Sequence, residues 1–149
     1  MYDSKEDTLK HIRQVRELME RLEIALGNRR MGHDYSKLIE PEKAIFDEFT
    51  PKLKDSTYGS DEYKSYLEEM KTALDHHYQE NRHHPEHFEN GIQGMTLIDL
   101  CEMICDWKAA TLRHADGDIL KSIEINQIRF NYDDGFKQIL LNTVKEYFD

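Results

Sequence analysis

The chain has 149 residues, with 20 Lys+Arg against 30 Asp+Glu and a formal net charge of −10. That length suits one domain over residues 1–149, and the acidic balance excludes a charge-driven grip on duplex nucleic acid or on an anionic membrane surface. There is no apolar run of the ~20 residues a membrane helix needs and no apolar core of a signal peptide near the N-terminus, while Cys101 and Cys105, four apart on one helix, read as reduced thiols, so a cytoplasmic protein is expected.

Hydrophobic residues make up 38% of the chain, enough for one modest core. Leu9, Ile12, Val15, Met19, Leu22 and Leu26 recur at spacings of three and four, which predicts an amphipathic helix over about 4–26 with Gly27 as its stop. A short helical turn is expected within 27–40. Pro41 suits the first turn of a helix over 41–49 that Pro51 ends, and KLKDSTYGS follows as a surface loop. Ser60 caps a long helix whose stripe is Tyr63, Leu67, Met70, Leu74 and His77; Pro85 places its end near Asn81. Thr96 with Asp99 reads as a capping box for the most apolar helix, 96–115, expected to be the central one. Helices over 118–130 and 133–148 complete the chain, the second capped by Asp133. With no convincing strand or repeat, the expected fold is all-α, a compact bundle of six or seven helices.

The chemical signal is histidine. Eight occur in 149 residues, and five of them fall between His76 and His87. His33 and Asp34 are adjacent donors, and imidazole with carboxylate suits transition metals. Asp106 stands on the most apolar helix between Cys105 and Trp107, where a carboxylate is a salt-bridge partner of Lys108 or Arg113, part of a solvated face, or a metal ligand. Asp99 is its rival on the same helix, better explained as the cap partner. His77 continues an apolar stripe and so faces inward; His76 lies on the neighbouring face. His83 and His84 follow closely, with spacing that does not decide which of the pair binds. His11 shares a face with Val15, Leu18 and Leu22 and becomes a candidate ligand once the His-Asp pair is considered.

The order His11, His33-Asp34, His77, His83/His84, Asp106 resembles the H…HD…H…H…D series of the HD-domain superfamily of metal-dependent phosphohydrolases. HDYSK is similar to the His-Asp-x-x-Lys turn of the HD-GYP branch, with Lys37 in the lysine place. HHPEH is loosely similar to that branch's His-His-Glu stretch, with Glu86 one place late, and the Gly-Tyr-Pro signature is absent. The whole chain also looks like an uncharacterised family of small His-rich proteins from bacteria and phages, which names no activity.

The resemblance implies an HD-like helical domain with one or two divalent metals (Mn, Fe, Zn, Ni, Co or Mg) held by His11, His33, Asp34, His77, His83 or His84, and Asp106. Asp34 would bridge two metals, whose activated water attacks a phosphorus atom in line. Lys37, with Arg30, Arg82 or Arg113, would neutralise the phosphoryl oxygens; Tyr78, Asn81 and Trp107 could line a base pocket. The expected function is hydrolysis of a small phosphorylated metabolite, with a nucleotide as the favoured case. A homodimer is compatible with the sequence. Two other readings fit the same donors: a di-iron oxygenase on the same fold, and a non-catalytic interaction protein that uses metal as a staple.

Overall fold

The computed structural model describes residues 2–57, 60–113 and 115–148. Among these, the chain is all-α, with seven helices and no strand. They are α1 (Lys5–Gly32), α2 (Glu42–Asp55), α3 (Asp61–Glu69), α4 (Lys71–Glu80), α5 (Leu97–Thr111), α6 (Ile119–Phe130) and α7 (Asp134–Tyr147). Short 3-10 turns lie at Tyr35–Leu38, Pro85–His87 and Gly91–Gly94. No helix among the described residues is long and apolar enough to cross a membrane.

The core is built where α5, α6 and α7 meet. Met103, Ile104 and Trp107 of α5 pack with Ile119 and Ile123 of α6, with Tyr132, and with Leu140 and Val144 of α7. Trp107 therefore belongs to this core, stacked on Phe130 with ring centroids 6.1 Å apart, and does not line a base pocket. A second packed region joins α2 to α3 and α4 through Phe49, Met70 and Ala73. The caps follow the sequence. Ser60 accepts from the Tyr63 amide, Asp133 accepts from the Phe136 amide, and Thr96 and Asp99 form the expected capping box. Each such cap stabilises its helix by about 1 kcal/mol.

Several expected boundaries move. Helix α1 runs through Gly27 to Gly32, because an interior glycine costs only ~1 kcal/mol and forces no stop. The helix ends where Asp34 takes a left-handed conformation, φ 56° and ψ 16°. Helix α2 likewise continues past Pro51 to Asp55. Proline there removes one hydrogen bond, but buried Phe49 before it and half-buried Leu53 after it hold both sides of the turn in place. KLKDSTYGS is thus helical as far as Asp55, and Tyr58 and Gly59 of that stretch lie outside the described residues. The single long helix expected over 60–81 is two, α3 and α4, parted at buried Met70. The central helix ends at Thr111, and His114, within its expected span, lies outside the described residues.

The largest departure concerns α1. An amphipathic helix ordinarily lays its apolar stripe on the core, yet none of the 28 residues of α1 is buried. Its C-terminal turns pack against α5, where Arg29 bonds Asp99 and Glu102, and residues 5–24 are all exposed.

Candidate metal centre

Four segments converge on one point: the end of α1 with the turn after it, the end of α4, the loop Asn81–His84, and the polar face of α5. The turn at Asp34 reverses the chain directly after α1, so that His33 and Asp34 both face α4 and α5. A non-glycine residue at φ 56° carries a conformational cost of about 1 kcal/mol or more, tolerated best by Asp and Asn and met most often at functional sites.

The donor atoms are close. Asp34 Oδ1 lies 3.3 Å from His77 Nε2 and 3.4 Å from His83 Nε2. His77 Nε2 and His84 Nε2 are 3.0 Å apart. On the other side, His33 Nε2 is 3.7 Å from Asp34 Oδ2 and 3.6 Å from Asp106 Oδ1, and Asp106 Oδ2 is 4.0 Å from His83 Nε2. Two overlapping donor sets result, Asp34-His77-His83-His84 and His33-His83-Asp106, each with ligand atoms within 4.8 Å of one another. Either set could hold a metal ion. The two oxygens of Asp34 divide between them, Oδ1 towards His77 and His83 and Oδ2 towards His33.

Two glutamates aim the rings. Glu102 Oε1 lies 2.9 Å from His33 Nδ1 and 3.1 Å from His83 Nδ1. Glu42, fully buried, places Oε1 2.7 Å from His76 Nδ1 and Oε2 2.9 Å from His77 Nδ1. A carboxylate at Nδ1 favours the proton on that nitrogen and leaves the Nε2 lone pair pointing away from it. For His33, His77 and His83 that direction is into the cluster, towards Asp34 and Asp106. Lone pairs facing carboxylates repel unless a cation lies between them. Asp34 Oδ1 and both ring nitrogens of His83 have no hydrogen-bond partner despite their burial, Glu102 Oε1 standing 3.1 Å from His83 Nδ1 outside hydrogen-bond geometry. This is the geometry that imidazole and carboxylate ligands present to a metal.

The protonation balance says the same. The Asp106 and Glu102 carboxylates push His33 up to about 10. Burial alone would raise the Asp34 carboxyl, but His77 and the Lys37 ammonium outweigh it and hold it well below the usual carboxylate range. Glu102 and Asp106 are held down against burial in the same way, by His33 first. His84, half-buried beside His83 and His77, is pushed down to about 3 by burial and by those two rings, and stays neutral. A site with this many ionised carboxylates attracts positive charge: protons on histidine when nothing else is offered, a divalent cation in preference.

The cluster is closed on one side and open on the other. His77 and His83 are 2% and 1% exposed, whereas His33 is 33% and Lys37 30% exposed. Lys37 stands on this open rim with Nζ 2.6 Å from Asp34 Oδ2 and 5.1 Å from the Phe46 ring centroid. Ser36 donates to Glu42 Oε2 at 3.0 Å, and Asn81 donates to Ser36 Oγ at 2.8 Å, so Asn81 braces the support of His77.

Six of the seven candidate ligands therefore come together: His33, Asp34, His77, His83, His84 and Asp106. Between His83 and His84 the structure makes no choice, since both face Asp34. His11 is not brought to the cluster. It is exposed on α1, the same helix that ends at Gly32, and 22 residues of helix separate it from His33 by about 33 Å. Asp106 faces His33 and His83, not Lys108 or Arg113. Asp99 is the cap partner and also joins Arg29 at 2.8 Å and Arg82 at 3.1 Å. Arg82 is thus tied to Asp99, with its guanidinium 4.9 Å from the Phe88 ring centroid. Arg30 and Arg113 are exposed and make no contact with the cluster. Glu86 pairs with Arg129 at 2.6 Å, and the His87 ring donates to the Tyr78 carbonyl oxygen at 2.9 Å, so both serve the loop. Tyr78 packs against His84 with ring centroids 5.0 Å apart.

The sequence reading missed Glu42, Glu102 and Arg29. Glu102 lies three residues after Asp99 and four before Asp106, so the three acids share one face of α5, a periodicity that could have found it. Arg29, which bonds Asp99 and Glu102, was hidden by ending α1 at residue 26. Glu42 gave no signal: an acid in a first helical turn reads as an ordinary partner of the helix dipole.

Fold and site together define an all-α protein with a buried His/Asp cluster able to hold a metal ion. The chain belongs to a family of unknown function, DUF5662, whose model matches residues 1–146. No curated protein and no solved structure gives a match.

Proposed function

We propose that the protein is a metal-dependent phosphohydrolase acting on a small phosphorylated metabolite, with a nucleotide the favoured case. The observation that carries this reading is the Asp34 carboxylate. Its Oδ1 faces His77 and His83, its Oδ2 faces His33, and one side of the cluster opens to solvent beside Lys37. A metal kept only as a staple favours a closed shell of protein ligands; a catalytic one keeps a position open. The HD-like order of His33, Asp34, His77, His83/His84 and Asp106 supports the same chemistry. A divalent metal bound there supplies Lewis acidity and an activated water.

The chain's own residues do the rest. Glu102 and Glu42 orient the rings of His33 and His77 through hydrogen bonds at Nδ1. Asp34, kept ionised by His77 and then Lys37, would hold the metal together with the histidines around it. Lys37, on the open rim, is placed to receive a phosphoryl oxygen. Without cations the carboxylates of Asp34, Asp106 and Glu102 would repel a phosphate, so substrate binding follows metal binding.

The test is metal analysis of protein purified without chelator, followed by a screen of nucleotides and simple phosphoesters for metal-dependent phosphate release. Release that stops on chelation and returns with metal supports the proposal. Bound iron with oxygen-dependent turnover and no phosphate release would replace it with an oxygenase, and stoichiometric metal with neither activity would leave the staple.

A further inference from the structure

Residues 5–24 of α1 are all exposed, and the helix buries nothing along its length. Its apolar residues are not scattered. Ile12, Val15, Met19, Leu22 and Leu26 alternate at spacings of three and four, the a and d positions of a heptad pattern. Leu18 and Met19 are each more than half exposed. The next d position is Arg29, which lies against Asp99 and Glu102 of α5. One seam therefore runs along α1, covered by α5 at its C-terminal end and bare for the rest. A continuous bare stripe of this kind marks an association surface.

We infer that α1 pairs with α1 of a second copy of this chain, antiparallel, to make a homodimer. Charge selects this occupant and this direction. Over residues 5–26 the helix carries five Lys+Arg and five Asp+Glu, not the basic polar face that lies on an anionic bilayer. The stripe is flanked by Arg16 and Glu23, seven residues apart on one edge. Set two copies antiparallel with Met19 opposite the partner's Leu22 and Val15 opposite the partner's Leu26. Arg16 then lies beside the partner's Glu23, and two-fold symmetry gives the pair twice. A parallel pairing in register instead sets His11 beside the partner's Arg16 and Leu18 beside the partner's Glu23, with Arg29 facing its own copy. Moving the antiparallel register by one heptad brings Arg16 against the partner's Arg16.

The test uses the full chain with Cys101→Ser and Cys105→Ser, and reads mass by sedimentation velocity across the micromolar range. A dimer is expected. Val15→Cys alone should give no covalent dimer on oxidation, because in this register the two cysteines sit about 16 Å apart along the axis. Val15→Cys with Leu26→Cys should cross-link between copies; within one helix the same ~16 Å forbids the bond. Met19→Glu with Leu22→Glu should yield a monomer of unchanged helical circular dichroism, since these two residues face each other across the pair and each is more than half exposed on its own chain. A monomeric parent protein would overturn the inference, as would a monomer that instead sediments with anionic vesicles. Self-cross-linking of Val15→Cys would overturn the antiparallel arrangement, and a dimer that survives both glutamates would place the interface elsewhere. The cross-linking arm stands whether or not the glutamate variant folds.

Discussion

Asp34 Oδ1 and His83 Nε2 lie 3.4 Å apart, both buried, and neither has a hydrogen-bond partner. Glu102 Oε1 stands 3.1 Å from His83 Nδ1 without hydrogen-bond geometry, and with the ring proton on that nitrogen the facing atoms are a lone pair and a carboxylate oxygen. A cation between them turns repulsion into two ligand bonds. Metal that binds only the folded chain stabilises it by RT ln(1 + [L]/Kd), about 2.7 kcal/mol at a hundredfold excess over Kd, or about 5–10 °C in melting temperature for a chain of this size. Wild type is expected to lose that much on chelation. His83→Ala and Asp34→Asn should melt near the chelated wild type and respond little to added metal. A full metal-dependent shift in either variant would remove that residue from the ligand set.

Glu102 makes a different prediction because it touches the rings, not the point where their Nε2 atoms meet. It bonds His33 at Nδ1 and faces His83 at Nδ1, and Arg29 holds it in turn at 3.0 Å. Glu102→Gln keeps the shape but weakens the orientation of both rings. Such a change lowers metal affinity by about 10–100-fold without abolishing binding. Titration calorimetry against the metal found in the purified protein reads this directly. Unchanged affinity would mean that the rings are positioned by packing alone.

Much of this was legible in sequence and some of it could not have been. Helix type and the caps at Ser60, Thr96 and Asp133 follow from local chemistry, which the fold leaves intact. The inward turn of His77 followed from its place on an apolar stripe. Gly27 and Pro51 misled because their costs, about 1 and 3 kcal/mol, are small beside what flanking contacts supply. Glu42 was invisible because its burial depends on α4 packing over it, a contact between residues 34 and 35 apart in sequence. The stripe of α1 is legible as apolar, but periodicity shows that a face needs cover and not which chain provides it.

His11 tests this same point. Its place in the series His11, His33-Asp34 suggested a ligand, but α1 is one unbroken helix and holds the two histidines about 33 Å apart. His11→Ala should leave metal stoichiometry and the chelation-dependent melting shift unchanged. Loss of metal in that variant would show that another copy brings its His11 to the cluster.

Lys37 separates catalysis from binding. Its ammonium lies 2.6 Å from Asp34 Oδ2 on the open rim, so its removal leaves the ligand atoms in place. Lys37→Ala should keep its metal, while phosphoester turnover falls by ~100-fold, the usual size of losing one group that stabilises developing charge. Steady-state kinetics with metal saturating checks this. An unaltered kcat/KM would reduce Lys37 to a counter-ion of Asp34.

Asp99 carries a pH signature that needs no metal. Its carboxylate is fully buried and accepts from the Thr96 amide and hydroxyl, both at 2.8 Å, from Arg29 at 2.8 Å and from Arg82 at 3.1 and 3.2 Å. Burial pushes its carboxyl up, but the Thr96 amide, then Arg82, Thr96 Oγ1 and Arg29, outweigh it and hold it below the usual carboxylate range. The folded state therefore prefers the ionised form, and the unfolded chain takes up a proton first as pH falls. The stabilisation is fully present above the unfolded value and is lost as pH drops through the folded one. Asp99→Asn keeps a capping oxygen but removes the charge from two arginines that are partly solvated, so a loss of about 2–3 kcal/mol is expected at neutral pH. Urea unfolding in chelator should show a gap between wild type and Asp99→Asn that is flat from about pH 5 to 8 and narrows below about pH 4. A gap that widens on acidification, or one that stays level through that range, would mean that Asp99 contributes through its cap hydrogen bonds and not through its charge.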